Sequence, residues 1–247
     1  MACAWGKDAL AHVREFATVP AVRDGKFAVY SILWTPNLDQ GYDEKWLDEL
    51  IPLTARLHAS LWVAVFGDRA KHERTLTMLQ SVADKCRVQN VPLVLYPHAG
   101  STFVDAEEAL ALIREMNRPE VKLSLHISHE LMAGNGPRME EVIAKVAPYI
   151  ALASINGVDS APDYTKASFD ITIMPLNQGS YDVRPYVASL VRHGYRGPFL
   201  EHTWGFKSPP EQHLAACMQA WQKISADVAT QIAAENQSAA RPPMSPR

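Results

Sequence analysis

The stretches Val91-Pro-Leu-Val-Leu-Tyr-Pro-His98 and Val121-Lys-Leu-Ser-Leu-His-Ile-Ser-His-Glu130 decide how this chain is read. Each is a short apolar run, rich in strand-forming residues, that stops in a histidine. In the second, Val121, Leu123, Leu125 and Ile127 alternate with Lys122, Ser124 and His126, the pattern of a strand with two different faces. An amphipathic helical pattern follows each, over Asp105–Met116 and Met139–Ala147. Strand, loop and helix in alternation define a parallel α/β fold, and in such folds chemistry collects past the C-terminal ends of the strands. His98, His126 and His129 fall there.

The alternation extends in both directions. Strands are expected at Phe27–Trp34, Leu61–Phe66, Tyr149–Ile155, Ile171–Met174 and Phe199–His202. Helices are expected at Asp43–His58, with Asp43 as N-cap, at Lys71–Gln89, at Arg184–His193 and from Pro209 to about Glu235. That makes seven strand candidates; an eighth would have to precede Lys7, where only Ala2–Trp5 stand. The expectation is a (β/α)8 TIM barrel with its first strand truncated or degenerate, in one domain over residues 1–236. Residues 237–247 form a polar, Pro-rich tail, expected to be disordered.

The 247 residues suit one barrel, and a net charge of −3 offers no basic field for nucleic acid. Cys3, Cys86 and Cys217 are too scattered for a disulfide framework or a metal knuckle and read as reduced, mostly buried thiols. The N-terminus has no apolar run long enough for a signal peptide or a membrane span. A cytoplasmic chain is therefore expected, although the abrupt start leaves room for a longer precursor. On the last helix Leu214, Cys217, Met218, Trp221 and Ile224 form an apolar stripe. It would close the barrel or, in a homo-oligomer, also meet a second subunit.

Taken together, Tyr96-Pro-His98, Leu125-His-Ile-Ser-His129, Ser154-Ile-Asn156 and Gly194-Tyr-Arg-Gly-Pro-Phe-Leu-Glu201 resemble the sugar phosphate isomerase/epimerase group of xylose isomerase-like TIM barrels. The resemblance runs from Phe27 onward, and its closing Gly-Tyr-x-Gly-x-x-x-Glu is the most specific piece. It implies a divalent metal held by two glutamates, an aspartate and a strand histidine, with the glutamates as acid and base. Glu201, His98 and His129 match. Tyr96 stands where the first glutamate is expected, His126 for the aspartate, and Ser154 for the strand histidine.

A hard cation such as magnesium prefers carboxylate oxygens, and of those only Glu201 survives. A set of His98, His126, His129 and Glu201 suits zinc, iron, cobalt or nickel better, with manganese kept among the candidates. On this reading Glu201, His129 and Tyr96 are the catalytic candidates. Trp34, Asn156 and Gln178 are candidate contacts to a small carbohydrate. Glu201 is expected to be a buried, inward-facing carboxylate, and His202 to face the surrounding helices.

The expected function is metal-assisted proton transfer beside a carbonyl, as in an isomerase or epimerase. A keto-sugar lyase or hydratase, with or without a metal, begins with the same step. A degenerate, non-catalytic sugar-binding barrel is the remaining alternative. Endonuclease IV-like repair on the same fold has too few strand-end carboxylates and the wrong charge balance. No GxGxxG, P-loop or GxSxG element occurs.

Overall fold

The computed structural model describes residues 2–4 and 9–239. Among the described residues seven strands, β1 (Ala2–Ala4), β2 (Ser31–Trp34), β3 (Ser60–Val63), β4 (Leu93–Leu95), β5 (Lys122–His126), β6 (Ile150–Ile155) and β7 (Phe199–Glu201), form one sheet in sequence order. Every neighbouring pair is parallel. The helices are α1 (Ala9–Thr18), α2 (Pro20–Arg23), α3 (Glu44–Arg56), α4 (His72–Val88), α5 (Ala106–Met116), α6 (Ile127–Met132), α7 (Met139–Val146), α8 (Phe169–Thr172), α9 (Arg184–Arg192) and α10 (Pro210–Ala239).

The helix starts follow from local chemistry. Asp43 accepts the Lys45 N–H ahead of α3, and Asp105 accepts the Glu108 N–H ahead of α5. Asn117 ends α5 in the left-handed region, at φ 52°, as a C-terminal cap. The two faces of the sheet are unequal. Ile32, Leu61, Val63, Leu93, Leu95, Leu123 and Leu125 join one large core with the helices. The opposite face carries a small separate cluster of Leu33, Trp62, Ala64, Val94, Tyr96 and Leu152. Helices on one face and a small packed interior on the other define a barrel-type α/β fold rather than a doubly wound one.

Three expectations are corrected. Ile171–Met174 is not a strand: α8 covers Phe169–Thr172, and Met174 makes only an isolated antiparallel bridge to Gly157. The second stretch leaves the strand at His126, and α6 begins at Ile127. Residues 237–239 of the expected tail belong to α10, and the remaining residues lie outside those described. Ahead of α1 the strand is three residues long, with Ala2, Cys3 and Ala4 registered on Ile32, Leu33 and Trp34. Lys7 lies outside the described residues.

Candidate active site

The turn from β5 into α6 builds the centre of the site. His126 ends the strand and caps the helix: its Nδ1 accepts the Ser128 N–H at 3.2 Å. One turn on, His129 returns beside it, with ring centres 4.4 Å apart. The neighbouring strand supplies Tyr96, whose hydroxyl lies 2.9 Å from His129 Nε2. The Ala99 N–H donates to His129 Nδ1 at 3.4 Å, so a neutral ring carries its proton on Nε2 and donates to Tyr96. Tyr96 is held from behind by Trp62, stacked at 4.0 Å, whose Nε1–H donates to Ser124. His98 packs 4.0 Å from His129 and donates Nδ1–H to its neighbour's carbonyl, Ala99 O, at 2.8 Å. Its Nε2 lone pair is therefore available to accept a proton.

His202 completes the cluster. Its ring centre is 4.6 Å from that of His126. The expectation that it faces the helices is reversed, and Glu201 takes that outer position. Glu201 accepts the Leu176 N–H at 3.2 Å, and the Cys217 thiol of α10 donates to the adjacent Asn177 Oδ1 at 3.7 Å. Phe199, on the same strand face, packs with its ring centre 4.8 Å from that of Trp221 of α10. Strand alternation then turns Leu200 and His202 inward.

The other expected contacts also have structural employment. Trp34 is buried on the outer face between Tyr42 and Trp46. Asn156 is buried; its Nδ2 donates to Gly157 O and Thr172 O, and its Oδ1 lies 3.0 Å from the Ser128 hydroxyl. Gln178 is exposed on the loop after α8. Glu130, beside His129, is a buried carboxylate that accepts the first N–H of α5, at Ala106, and the Asn135 amide. It ties α6 to α5 and so fixes the base of His129.

The imidazoles are neutral at neutral pH. Burial lowers the pKa of His98, although its hydrogen bond to Ala99 O works in the opposite direction. Burial also drives His126 and His129 well below the ordinary histidine value, helped by repulsion from neighbouring imidazoles. His202 is pushed down to about 4, first by burial and then by His98. An apolar-walled cavity of about 310 Å³ opens over the cluster, lined in part by Tyr96, His98 and His202, with Phe66, Phe169 and Trp204 as its aromatic wall. Phe169, brought in by α8, lies 6.0 Å from His98 and 5.4 Å from Trp204. Among the described residues, no lysine, arginine, aspartate or glutamate lines this cavity.

The donor set does not fit the metal that the resemblance implies. No group of three His, Cys, Asp or Glu side chains among the described residues is arranged to hold a metal ion. Two imidazoles on a tetrahedral zinc, with Zn–N near about 2.1 Å, would keep their ring centres roughly 5 Å apart. The His98–His129 and His126–His129 pairs are closer, at 4.0 and 4.4 Å. His129 spends both nitrogens on protein groups, and the surviving carboxylate, Glu201, is on the other face.

The fold is that of a TIM barrel, and residues 29–224 match the xylose isomerase-like TIM barrel family. The chain belongs to that family. No curated protein sequence matches it. Among solved structures, L-ribulose 3-epimerase superposes with a TM-score of 0.67 at 16% identity, over 99% of this chain and 88% of that one. A xylose isomerase-like TIM barrel protein from Mycobacterium smegmatis in complex with magnesium gives 0.61 at 20% identity, over 90% and 88%. A xylose isomerase-like TIM barrel/4-hydroxyphenylpyruvate dioxygenase fusion protein gives 0.68 at 16% identity; the match covers 92% of this chain but 38% of the fusion. At these identities the likeness speaks to the fold alone.

Proposed function

We propose that this protein is an isomerase/epimerase-like enzyme that moves a proton at a carbon beside the carbonyl of a small, unphosphorylated carbohydrate. The observation that carries the reading is the convergence of three cavity-lining groups, Tyr96, His98 and His202, backed by His126 and His129. Neutral imidazoles are the form in which histidine abstracts a proton. His98, with Nδ1–H anchored on Ala99 O, presents Nε2 as the base. His202 is the second acid–base group, and Tyr96, oriented by His129, hydrogen-bonds the reacting oxygens. With no cation among the described residues of the cavity wall, a phosphate would find no partner there, which favours an uncharged substrate. Phe169 and Trp204 offer apolar faces to a sugar ring.

One similar structure is in complex with magnesium; in the proposed reaction this chain's own imidazoles carry the acid–base chemistry. The test is solvent-deuterium exchange into a panel of unphosphorylated keto-sugars, followed by NMR. The wild-type protein is expected to exchange the proton next to the carbonyl of at least one of them. His98→Gln is expected to slow that exchange roughly 10²–10⁴-fold. Binding of the sugars without exchange would leave the non-catalytic barrel as the better account.

A further inference from the structure

Two buried polar atoms at the histidine cluster have no hydrogen-bond partner among the described residues: His126 Nε2 and Ser154 Oγ. Their residues are 2% and 1% exposed. They are register partners on β5 and β6. Both project to the inner face, Ser154 two residues beyond the inner-cluster residue Leu152. Because His126 Nδ1 accepts the Ser128 N–H, the neutral ring carries its proton on Nε2, which is a donor in want of an acceptor. The Ser154 hydroxyl is both donor and acceptor. His202, which follows β7, reaches across β6 to His126, with Leu200 registered on Ser154. The two unspent groups are thus register neighbours on the inner face, and the His126 ring lies 4.6 Å from that of His202 and 6.0 Å from that of Tyr96, both of which line the cavity.

Buried donors and acceptors in folded proteins nearly always find a partner, from protein, ordered water or ligand. We propose that His126 Nε2–H and Ser154 Oγ form a niche for one uncharged oxygen: water in the free protein, and the carbonyl oxygen of the substrate during turnover. The second half rests on the proton-transfer reading above. In that step the C–H bond beside the carbonyl breaks and its proton passes to His98 Nε2. The electron pair forms a C=C bond, and the C=O pair moves onto the oxygen. The niche meets that developing charge with two donors, His126 Nε2–H and Ser154 Oγ–H, fixed in place before the reaction. These are two of the positions at which the chain departs from its family's metal-ligand pattern, and here they supply hydrogen bonds where carboxylate and imidazole ligands would stand.

The test uses crystals of the full chain, free and soaked to saturation with dihydroxyacetone. The free protein is expected to show one ordered oxygen within hydrogen-bond distance of both His126 Nε2 and Ser154 Oγ. In the soaked crystal the keto oxygen is expected to replace it. A direct His126–Ser154 bond, or no oxygen between them, overturns the niche. A water that stays while the probe's carbonyl lies elsewhere, or is absent, overturns the substrate assignment. In solution, Ser154→Ala should keep the wild-type melting profile and slow deuterium exchange roughly 10- to 100-fold. Unchanged exchange in that folded variant counts against the assignment. An occupied niche in a protein that exchanges no keto-sugar would instead show that the proposed reaction has failed while the site stands.

Discussion

The rings of His126 and His202 meet with centres 4.6 Å apart, across the strand that lies between their own. One residue carries the capping role at the start of α6, and the other follows the last strand. Their meeting extends a row of neutral imidazoles, His98, His129, His126 and His202, over the inner face of the barrel.

Activity should not need a divalent ion. Protein treated with a strong chelator and desalted is expected to retain its deuterium-exchange rate. Elemental analysis of the untreated protein is expected to give well under one metal per chain. Loss of exchange on chelation, restored by zinc, manganese or another ion, would contradict the poor fit of these donors to a metal.

Stability should fall in acid. Histidines buried in neutral form have native pKa values below the ordinary 6.5, and His202 lies at about 4. Above about pH 6.5 neither state binds the proton and nothing is lost. As pH falls from 6.5 toward 4, the unfolded chain takes up protons that the native cluster refuses. Each such histidine then costs about 1.4 kcal/mol per pH unit. Below about 4, His202 adds no further loss. Urea denaturation at several pH values measures the slope, and His202→Gln should reduce it by close to one proton.

Tyr96→Phe removes the acceptor of His129 Nε2 and leaves a buried donor unpaired. The expected cost is about 1–3 kcal/mol, with slower exchange on top of it. Chemical denaturation alongside the exchange assay separates the two effects. An unchanged stability would mean that His129 finds another partner.

Gly157 holds the loop that carries Phe169. A Cβ there would lie 2.3 Å from the carbonyl oxygens of both Pro175 and Gln178. Gly157→Ala must therefore push the segment after β6 away from the strand end, at a cost of about 3 kcal/mol. Because α8 travels with that segment, exchange activity should drop even under conditions where the variant stays folded.

Much of this architecture is legible in the residues, and the exceptions have physical causes. Helices that begin at Asp43 and Asp105 carry their capping chemistry in their own sequence. The alternation in Lys122–His126 gives the correct faces, because one side chain in two is polar. Phe199–Glu201 has no such alternation, since Phe199 and Leu200 are both apolar. Its facing is decided by packing against Trp221, 22 positions further along the chain, which no local pattern announces. That is why Glu201 and His202 exchange places relative to expectation. Ile171–Met174 reads as a strand from its β-branched residues. Tertiary bonds override that propensity, because Thr172 O accepts from both Ser128 and Asn156. The same bonds consume Asn156. His202 was discoverable only from its place two residues beyond Leu200.

The most direct measurement compares deuterium exchange into a responsive keto-sugar by metal-depleted wild-type protein, His202→Gln and Glu201→Gln. The account predicts that His202→Gln slows exchange by roughly 10²-fold or more, while Glu201→Gln stays near wild type. Exchange that survives in His202→Gln and vanishes in Glu201→Gln would contradict it and return the chemistry to the carboxylate.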